Sequence, residues 1–365
     1  MQVFKNPLRG QGLGGEDALT AGDVVIDTTL PRAVFSAWDG FGATPLISAP
    51  QLAAAAGVGT VWLKNETVRL DLGSFKALGG AYAVARVIMK AAGLEGIAGA
   101  RELHQAPARS IAAGMTFLTA SAGNHGIAVA AGARQFGAKA RIFLNETVPE
   151  SFRHRLESLG AEVDRTSSTY DDSLAAAREA ADRGEGILLS DTTWPGYTDL
   201  PRFIMQGYAI MLEEAAAALT EAPTHIFLQA GVGGLACALA AKTRTIWGNS
   251  VCVVVVEPDR AACLKTSVET GRSVVVAGPV SNMGRLDCKE PSLTALRLLA
   301  READYFATIS DEEAEAAVRM VAGAGLATTP SGAAGVAALL GSAEAGLSLS
   351  ASSRLLCIIS ETTAP

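Results

Sequence analysis

The sequence predicts a doubly wound α/β fold: two lobes, with mostly parallel sheets flanked by helices. Short β-branched runs alternate with longer Ala-rich helical segments, and glycine-rich turns stand where several strands pass into helices. Hydrophobic residues make up 49% of the chain and charged residues only 18%, a balance suited to buried strands and tightly packed helices. At 365 residues the chain exceeds what one core usually supports, so an inserted second lobe is expected.

Taken in order, the stretch from Gln2 to Trp38 is irregular and rich in Gly, Pro and Asp, and reads as an arm or edge structure. "TVWLKNE" then reads as a strand feeding the helix "SFKALGGAYAVARVIMKAA". "TFLTA" feeds "HGIAVAAGARQFG", and "KARIFLN" feeds "ESFRHRLESLG". After the strand-like "GILLSDTTW" the rhythm resumes with "PRFIMQGYAIMLEEAAAAL", "HIFLQA", "LACALAAKTRTI", "VCVVVVEPD" and "LLCIIS". The pattern predicts a smaller inserted α/β lobe over residues 76–199 and a larger lobe from residues 1–75 and 200–365.

The formal charge of −7 is mild and spread along the chain, without a basic block for nucleic acid or a polybasic face for a membrane. Small-molecule chemistry is favoured. Cys237, Cys252, Cys263, Cys288 and Cys357 form no CxxC pair and read as reduced core residues. The four histidines lie at no metal-ligating spacing, so no metal site is expected. The N-terminus lacks a basic start followed by an apolar run, and no stretch of about 18 uncharged apolar residues follows, so the expected compartment is the cytoplasm.

Doubly wound sheets bind ligands beyond the carboxyl ends of their strands, which directs attention to three turns. In "HIFLQAGVGGLACALAAKTR" a strand runs into a Gly-rich turn and a helix, so Gly231, Gly233 and Gly234 can aim N–H groups at an anion. The turn lacks the GxxxxGK[ST] and full GxGxxG spacings, so a nucleotide is not supported; a tight packing turn is the plainer alternative. In "SAGNHG" the Ser121, Asn124 and His125 side chains crowd a second turn, where a helix cap would also explain them. The third is "SETTAP", at the end of "LLCIIS".

Lys76 stands alone among Phe75, Ala77, Leu78, Gly79 and Gly80. Most lysines are solvated surface charges, but an ammonium among apolar groups has its pKa pushed down, and a neutral amine is a nucleophile able to form a Schiff base. One such amine, one phosphate cradle without nucleotide features and one Asn-bearing turn together match the needs of pyridoxal phosphate: a partner for its aldehyde, for its phosphate and for its ring oxygen.

At these residues the sequence resembles the fold-type II pyridoxal-phosphate enzymes. Within them it is most similar to the diaminopropionate ammonia-lyases, through "GFGATPL", "SFKALGGAYA", "STYDDSL", "SDTTWPGYTDLPRFIMQGYAIM", "HIFLQAGVGGLA" and "VVEPDRAACLKTSVETG". The resemblance implies a carbon-nitrogen lyase that converts 2,3-diaminopropionate to pyruvate and ammonia, and a homodimer. It assigns Lys76 as Schiff-base lysine and base, Asn124 to the ring oxygen, and Gly231, Val232, Gly233, Gly234 and Leu235 to the phosphate. The substrate carboxylate would lie against Ser121, Ala122, Gly123 and His125. Ser360 or Glu361 would meet the ring nitrogen, and Asp191, Tyr170, Tyr197 and Asp287 are candidates for an acid or a substrate contact. Two positions depart from the pattern: Ala122 replaces the acid that usually precedes "GNH", and "SETTAP" stands where "TEGDT" is usual. Two alternatives stay open: a dehydratase of serine, threonine or hydroxyaspartate, and a non-catalytic binding protein on the same fold.

Overall fold

The computed structural model describes residues 1–15, 18–20, 23–121, 123–146, 148–167 and 169–363, without the side chains of Thr166, Ser167, Tyr170 and Asp171. Its strands in chain order are β1 (Gln2–Lys5), β2 (Leu46–Ser48), β3 (Thr60–Asn65), β4 (Thr116–Ala120), β5 (Lys139–Asn145), β6 (Glu162–Ser167), β7 (Ile187–Leu188), β8 (His225–Gln229), β9 (Cys252–Pro258), β10 (Tyr305–Ile309) and β11 (Arg354–Ile359). They form a seven-stranded sheet in the order β1-β10-β9-β8-β11-β3-β2 and a four-stranded sheet in the order β6-β5-β4-β7. All pairings are parallel except at the two edges of the larger sheet, where β1 meets β10 and β2 meets β3 antiparallel. The run Val253–Val256 has no exposure, as a strand covered by helices on both faces requires.

Several elements escape the sequence pattern. "EVDRTS" carries too many charges to read as a strand, yet it lies at the edge of the smaller sheet, where outward-facing polar side chains are tolerated. β10 is short and was also not anticipated. "GILLSDTTW" contributes only the two residues of β7 before turning into loop. The first segment supplies the edge strand β1 and a short helix, Thr29–Phe35. Among the described residues no single helix is long and apolar enough to cross a membrane.

The helix Lys76–Ala91 lies between the helix Asn124–Phe136 and the helix Asp199–Ala218. Its glycines make that possible. A Cβ on Gly80 would stand 2.7 Å from the Ala128 Cβ, and a Cβ on Gly207 would overlap the Leu78 carbonyl, so backbones touch on both sides. Residues Ala77 to Ala85 are all buried as a result.

The approach to Lys76 is held by a buried charge cluster. Lys64 of β3 donates to Glu214 at 2.6 Å and to the Thr44 carbonyl at 2.7 Å. Arg69 meets Glu66 at 2.8 Å and Glu214 at 2.6 Å, and Thr44 donates to Glu66 at 2.6 Å. Each charge thus has opposite charges and hydrogen bonds around it, the condition for burying ions. Leu70 and Asp71, with φ of 51° and 56°, then turn the chain back towards Gly73. Such backbone costs on the order of 1 kcal/mol per non-glycine residue and persists only when its surroundings fix it.

Gly207→Ala should force the Lys76 helix and its neighbour apart and lower stability by about 1–3 kcal/mol, read as a fall in the thermal unfolding midpoint. An unchanged midpoint would contradict the backbone contact.

Candidate active site

Lys76 is the first residue of its helix, and the preceding turn is tied to the end of β11. Phe75 N donates to the Ser360 carbonyl at 3.0 Å, and Thr362 N to the Gly73 carbonyl at 2.9 Å. Ser74 and Glu361 form an isolated antiparallel bridge. The third sequence-predicted turn is therefore the support of Lys76's own turn, and its Ser360 and Glu361 are both 4% exposed.

The Lys76 ammonium pairs with the Asp191 carboxylate. Burial by itself would depress the lysine pKa, as its apolar sequence neighbours suggest, but the Asp191 charge reverses the sign and the pKa is raised above its ordinary value. Asp191 shows the mirror effect: burial pushes its pKa up, the Lys76 charge pulls harder, and the net value is well below the usual carboxylate range. The expected neutral, activated amine is thus corrected to an ion pair in the free protein. Among the described residues the buried Tyr208 hydroxyl has no hydrogen-bond partner, and burial raises its pKa while Lys76 and Asp191 act on it electrostatically.

In the Asn turn, Ser121 Oγ accepts from Gly123 N at 3.1 Å and from Gly126 N at 2.9 Å. That hydroxyl braces the turn from which the helix starts. His125 is 4% exposed, with Nε2 2.9 Å from the Leu189 carbonyl, and burial lowers its pKa, so it packs as a neutral ring. Asn124 donates to Glu361, whose other oxygen accepts from Thr329 Oγ1 at 2.6 Å. Burial raises the Glu361 pKa above its usual value. Ala122 and the Tyr170 side chain lie outside the described residues.

The Gly-rich turn follows β8 and opens the helix Gly234–Trp247. Gly233, with φ of 101°, occupies the left-handed region, and a Cβ on Gly231 would stand 2.9 Å from Cys288 Sγ. A Cβ on Gly234 would find nothing nearer than the Asp191 carbonyl at 3.9 Å. The turn is therefore packed on one side and opens on the side of Asp191, with Val232 and the 6% exposed Leu235 completing it. Such a helix start suits a phosphate.

Two other candidates are engaged elsewhere. Asp287 pairs with Lys289 at 2.5 Å, because the chain brings the ammonium two residues away into reach. The Tyr197 hydroxyl donates to the Leu188 carbonyl and accepts from Ser190 N, each at 2.9 Å, while its ring stacks on Trp194 at 4.2 Å. The Tyr197 contacts fix the loop that delivers Asp191. Thr193 adds to this by bonding Ser292 at 2.8 Å, and Ser292 N donates to Val232 O at 2.9 Å, linking that loop to the Gly-rich turn.

Sequence reasoning missed Tyr208, Cys288 and Arg285. Cys288, read as a core thiol, is half-buried against the Gly-rich turn and feels both Asp191 and Lys76. Its segment "MGRLDCKEPS" carries no periodicity, although its glycine and proline mark it as a loop. All five cysteines are free.

The residues fit pyridoxal phosphate. A lysine amine lies beside a buried phenol and, through Asp191, beside a Gly-rich helix start, while Glu361, bonded to the Asn124 amide, feels the lysine charge. Asp191→Asn should remove the charge that holds the Lys76 proton while leaving the burial, so the lysine pKa falls. Competitive acetylation of the cofactor-free protein, followed across pH by peptide mass spectrometry, should show Lys76 reacting at lower pH than in the wild type. An unchanged profile would contradict the pairing.

A family profile described as pyridoxal-phosphate dependent enzyme matches residues 37–361. The diaminopropionate ammonia-lyase of Escherichia coli (strain K12) is 34% identical over 287 residues, covering 77% of this chain and 71% of that protein. The crystal structure of the Escherichia coli diaminopropionate ammonia lyase in complex with D-serine superposes with a TM-score of 0.87 at 28% identity, covering 100% of this chain and 94% of that one. The same enzyme in complex with an aminoacrylate-PLP azomethine reaction intermediate gives a TM-score of 0.85 at 28% identity, with the same coverage. With the fold, the fitted site and the match over most of its length in agreement, the chain belongs to the pyridoxal-phosphate-dependent enzymes of fold type II and takes pyridoxal phosphate as its cofactor.

Proposed function

We propose that the protein is an ammonia-lyase that eliminates the β-amino group of 2,3-diaminopropionate, taking one water and giving pyruvate and two ammonia molecules. The observation that carries this reading is the Lys76–Asp191 pair, held in the space bounded by the Gly-rich and Asn turns. A diaminopropionate ammonia-lyase 34% identical over most of the chain supports the substrate.

Lys76 would hold the cofactor through its amine, the turn Gly231–Leu235 would hold the phosphate through backbone N–H groups, and Asn124 would hold the ring oxygen. Ser360 and Glu361 are the two groups from which the ring-nitrogen partner comes. When bound, the cofactor withdraws electrons from the substrate's α-carbon, so that the α-proton becomes acidic. The Lys76 amine then takes that proton, and Asp191 stabilises the resulting ammonium. A β-amine leaves poorly unless protonated, and the Lys76 ammonium is the nearest acid to return the proton to it. The backbone N–H groups of Gly123 and its neighbours would orient the carboxylate, and closure of the lobe 76–199 on the lobe of 1–75 and 200–365 would exclude water. Cytoplasmic location and a homodimer complete this reading.

A second substrate class keeps the same chemistry: β-hydroxy amino acids such as serine, threonine or hydroxyaspartate. Ala122 at the Asn turn favours it, as does the D-serine bound to the related enzyme.

The purified protein should show the visible absorbance of a lysine-bound cofactor, and Lys76→Ala should abolish it. Wild type given L-2,3-diaminopropionate should release pyruvate and ammonia in a ratio of one to two, measured by coupled enzymatic assay, while Lys76→Ala releases none. A normal absorbance without pyruvate, but with keto acid from hydroxy amino acids, would establish the second reading instead. Absence of the band in protein supplied with cofactor would remove both.

A further inference from the structure

A cavity of about 280 Å³ opens beside the Asn turn, lined by Gly73, Asn124, Phe152, Arg155, Arg285 and Glu361 among others. Two guanidinium groups in one small cavity repel each other and normally need carboxylates. Among the described residues neither Arg155 nor Arg285 has an ion-pair partner, and of their hydrogen-bond donors only one, Arg155 Nη2, is engaged, by the Leu72 carbonyl at 3.0 Å. Burial lowers the Arg155 pKa, a cost that no protein carboxylate offsets.

Both side chains are nevertheless held in place. Arg285 lies across the Phe152 ring, its Cζ 5.2 Å from the centroid, and a Cβ on Gly123 would stand 2.7 Å from its Cζ. The guanidinium therefore rests on the backbone of the turn that binds a substrate carboxylate in the function proposed above. Arg285 N is itself fixed by Ser331 Oγ at 3.1 Å, and the Arg155 guanidinium stands over Gly73, three residues before Lys76. Glu361 is the one carboxyl among the lining residues; its hydrogen bonds go to Asn124 and Thr329, and Arg285 acts on it through its charge without an ion-pair contact. Planar guanidinium forks left with free donors are matched to carboxylate or phosphate oxygens.

We infer that Arg285 and Arg155 form an anion subsite, and that the enzyme also eliminates from α-amino acids whose β-carbon carries a second acidic group. The inference rests on the β-elimination reading; it singles out 3-hydroxyaspartate among the hydroxy amino acids and adds O-phosphoserine. With 3-hydroxyaspartate, water leaves the β-carbon and a second water releases ammonia, giving oxaloacetate. With O-phospho-L-serine, phosphate leaves and hydrolysis gives pyruvate and ammonia. Both balance without an oxidant or reductant.

The test compares the holoenzyme with Arg285→Gln and Arg155→Gln, using L-2,3-diaminopropionate, O-phospho-L-serine and 3-hydroxyaspartate as substrates and succinate as a non-reacting probe followed by calorimetry. Removing one charge-assisted contact should weaken succinate binding about tenfold or more, and should lower the kcat/KM for the acidic substrates relative to diaminopropionate by a similar factor. Arg285→Lys should restore part of the succinate affinity, which a merely structural role would not. Equal losses on all three substrates would place the arginines at the common carboxylate and overturn the inference. So would turnover of diaminopropionate alone by the wild type, or succinate affinity unchanged in both variants. If no substrate reacts, the proposed function fails, and succinate calorimetry still decides whether the anion subsite exists.

Discussion

The site depends first on backbone contact between helices. Because Gly80 faces Ala128 and Gly207 faces the Leu78 carbonyl, the helix that begins at Lys76 cannot shift along or away from its neighbours without leaving voids on both sides. One of those neighbours starts at Asn124, and the other carries Tyr208 and Glu214. A single packing constraint therefore sets the distance from the lysine to the asparagine turn, to the buried phenol and to the buried charge cluster. The cluster then fixes the other end of the problem, the path by which the chain enters Lys76. With Arg69 bound to Glu66 and Glu214, the left-handed turn at Leu70 and Asp71 has no freedom to relax. Charges are a costly way to fill a core, and apolar residues of equal volume often do as well for stability. What they add here is direction: guanidinium forks accept only one arrangement of carboxylates.

Electrostatics completes what packing begins. In the free protein, Lys76 and Asp191 neutralise each other, so Lys76 is held as an ammonium rather than as a ready nucleophile. Since a carboxylate stabilises an ammonium but not a neutral amine, Asp191 makes Lys76 a stronger proton acceptor once the amine has been released to act as a base. In the proposed reaction, the pairing that opposes attachment of the cofactor would thus favour the later removal of the α-proton. The pair sits where the loop fixed by Trp194, Tyr197 and Thr193 meets the Gly-rich turn, so the ion pair and that turn are joined by connected hydrogen bonds.

The sequence made the lysine and the two glycine or asparagine turns legible because each is a local signal: a lone charge in an apolar run, and turn residues between a strand and a helix. Most strands of the larger sheet were legible for the same reason, as continuous β-branched runs. What failed was whatever depends on distant partners. The sign of the Lys76 pKa is set by Asp191, 115 residues away, and nothing near Lys76 announces it. The bonds by which Ser121 braces its turn are equally unannounced, because their partners are backbone atoms that have no sequence identity. Tyr208 sat in plain view within "MQGYAIM", yet only the close approach permitted by Gly79 places its ring against the lysine helix.

Arg285 shows the same limit from the opposite direction. Nothing in the sequence around Arg285 announces a role, and its meaning comes from what it touches, the Gly123 backbone and the Phe152 ring, and from donors left without an ion-pair partner among the described residues. Placing a rigid cation on a substrate-binding turn leaves the reacting centre untouched, since that centre is the Lys76–Asp191 pair, and changes only which side chains are drawn to it. A fold of this kind can thus alter its substrates by charge at the rim while keeping its proton chemistry, because the two are built on different elements: the rim on the irregular segment before Cys288, the proton machinery on helices locked by backbone contact.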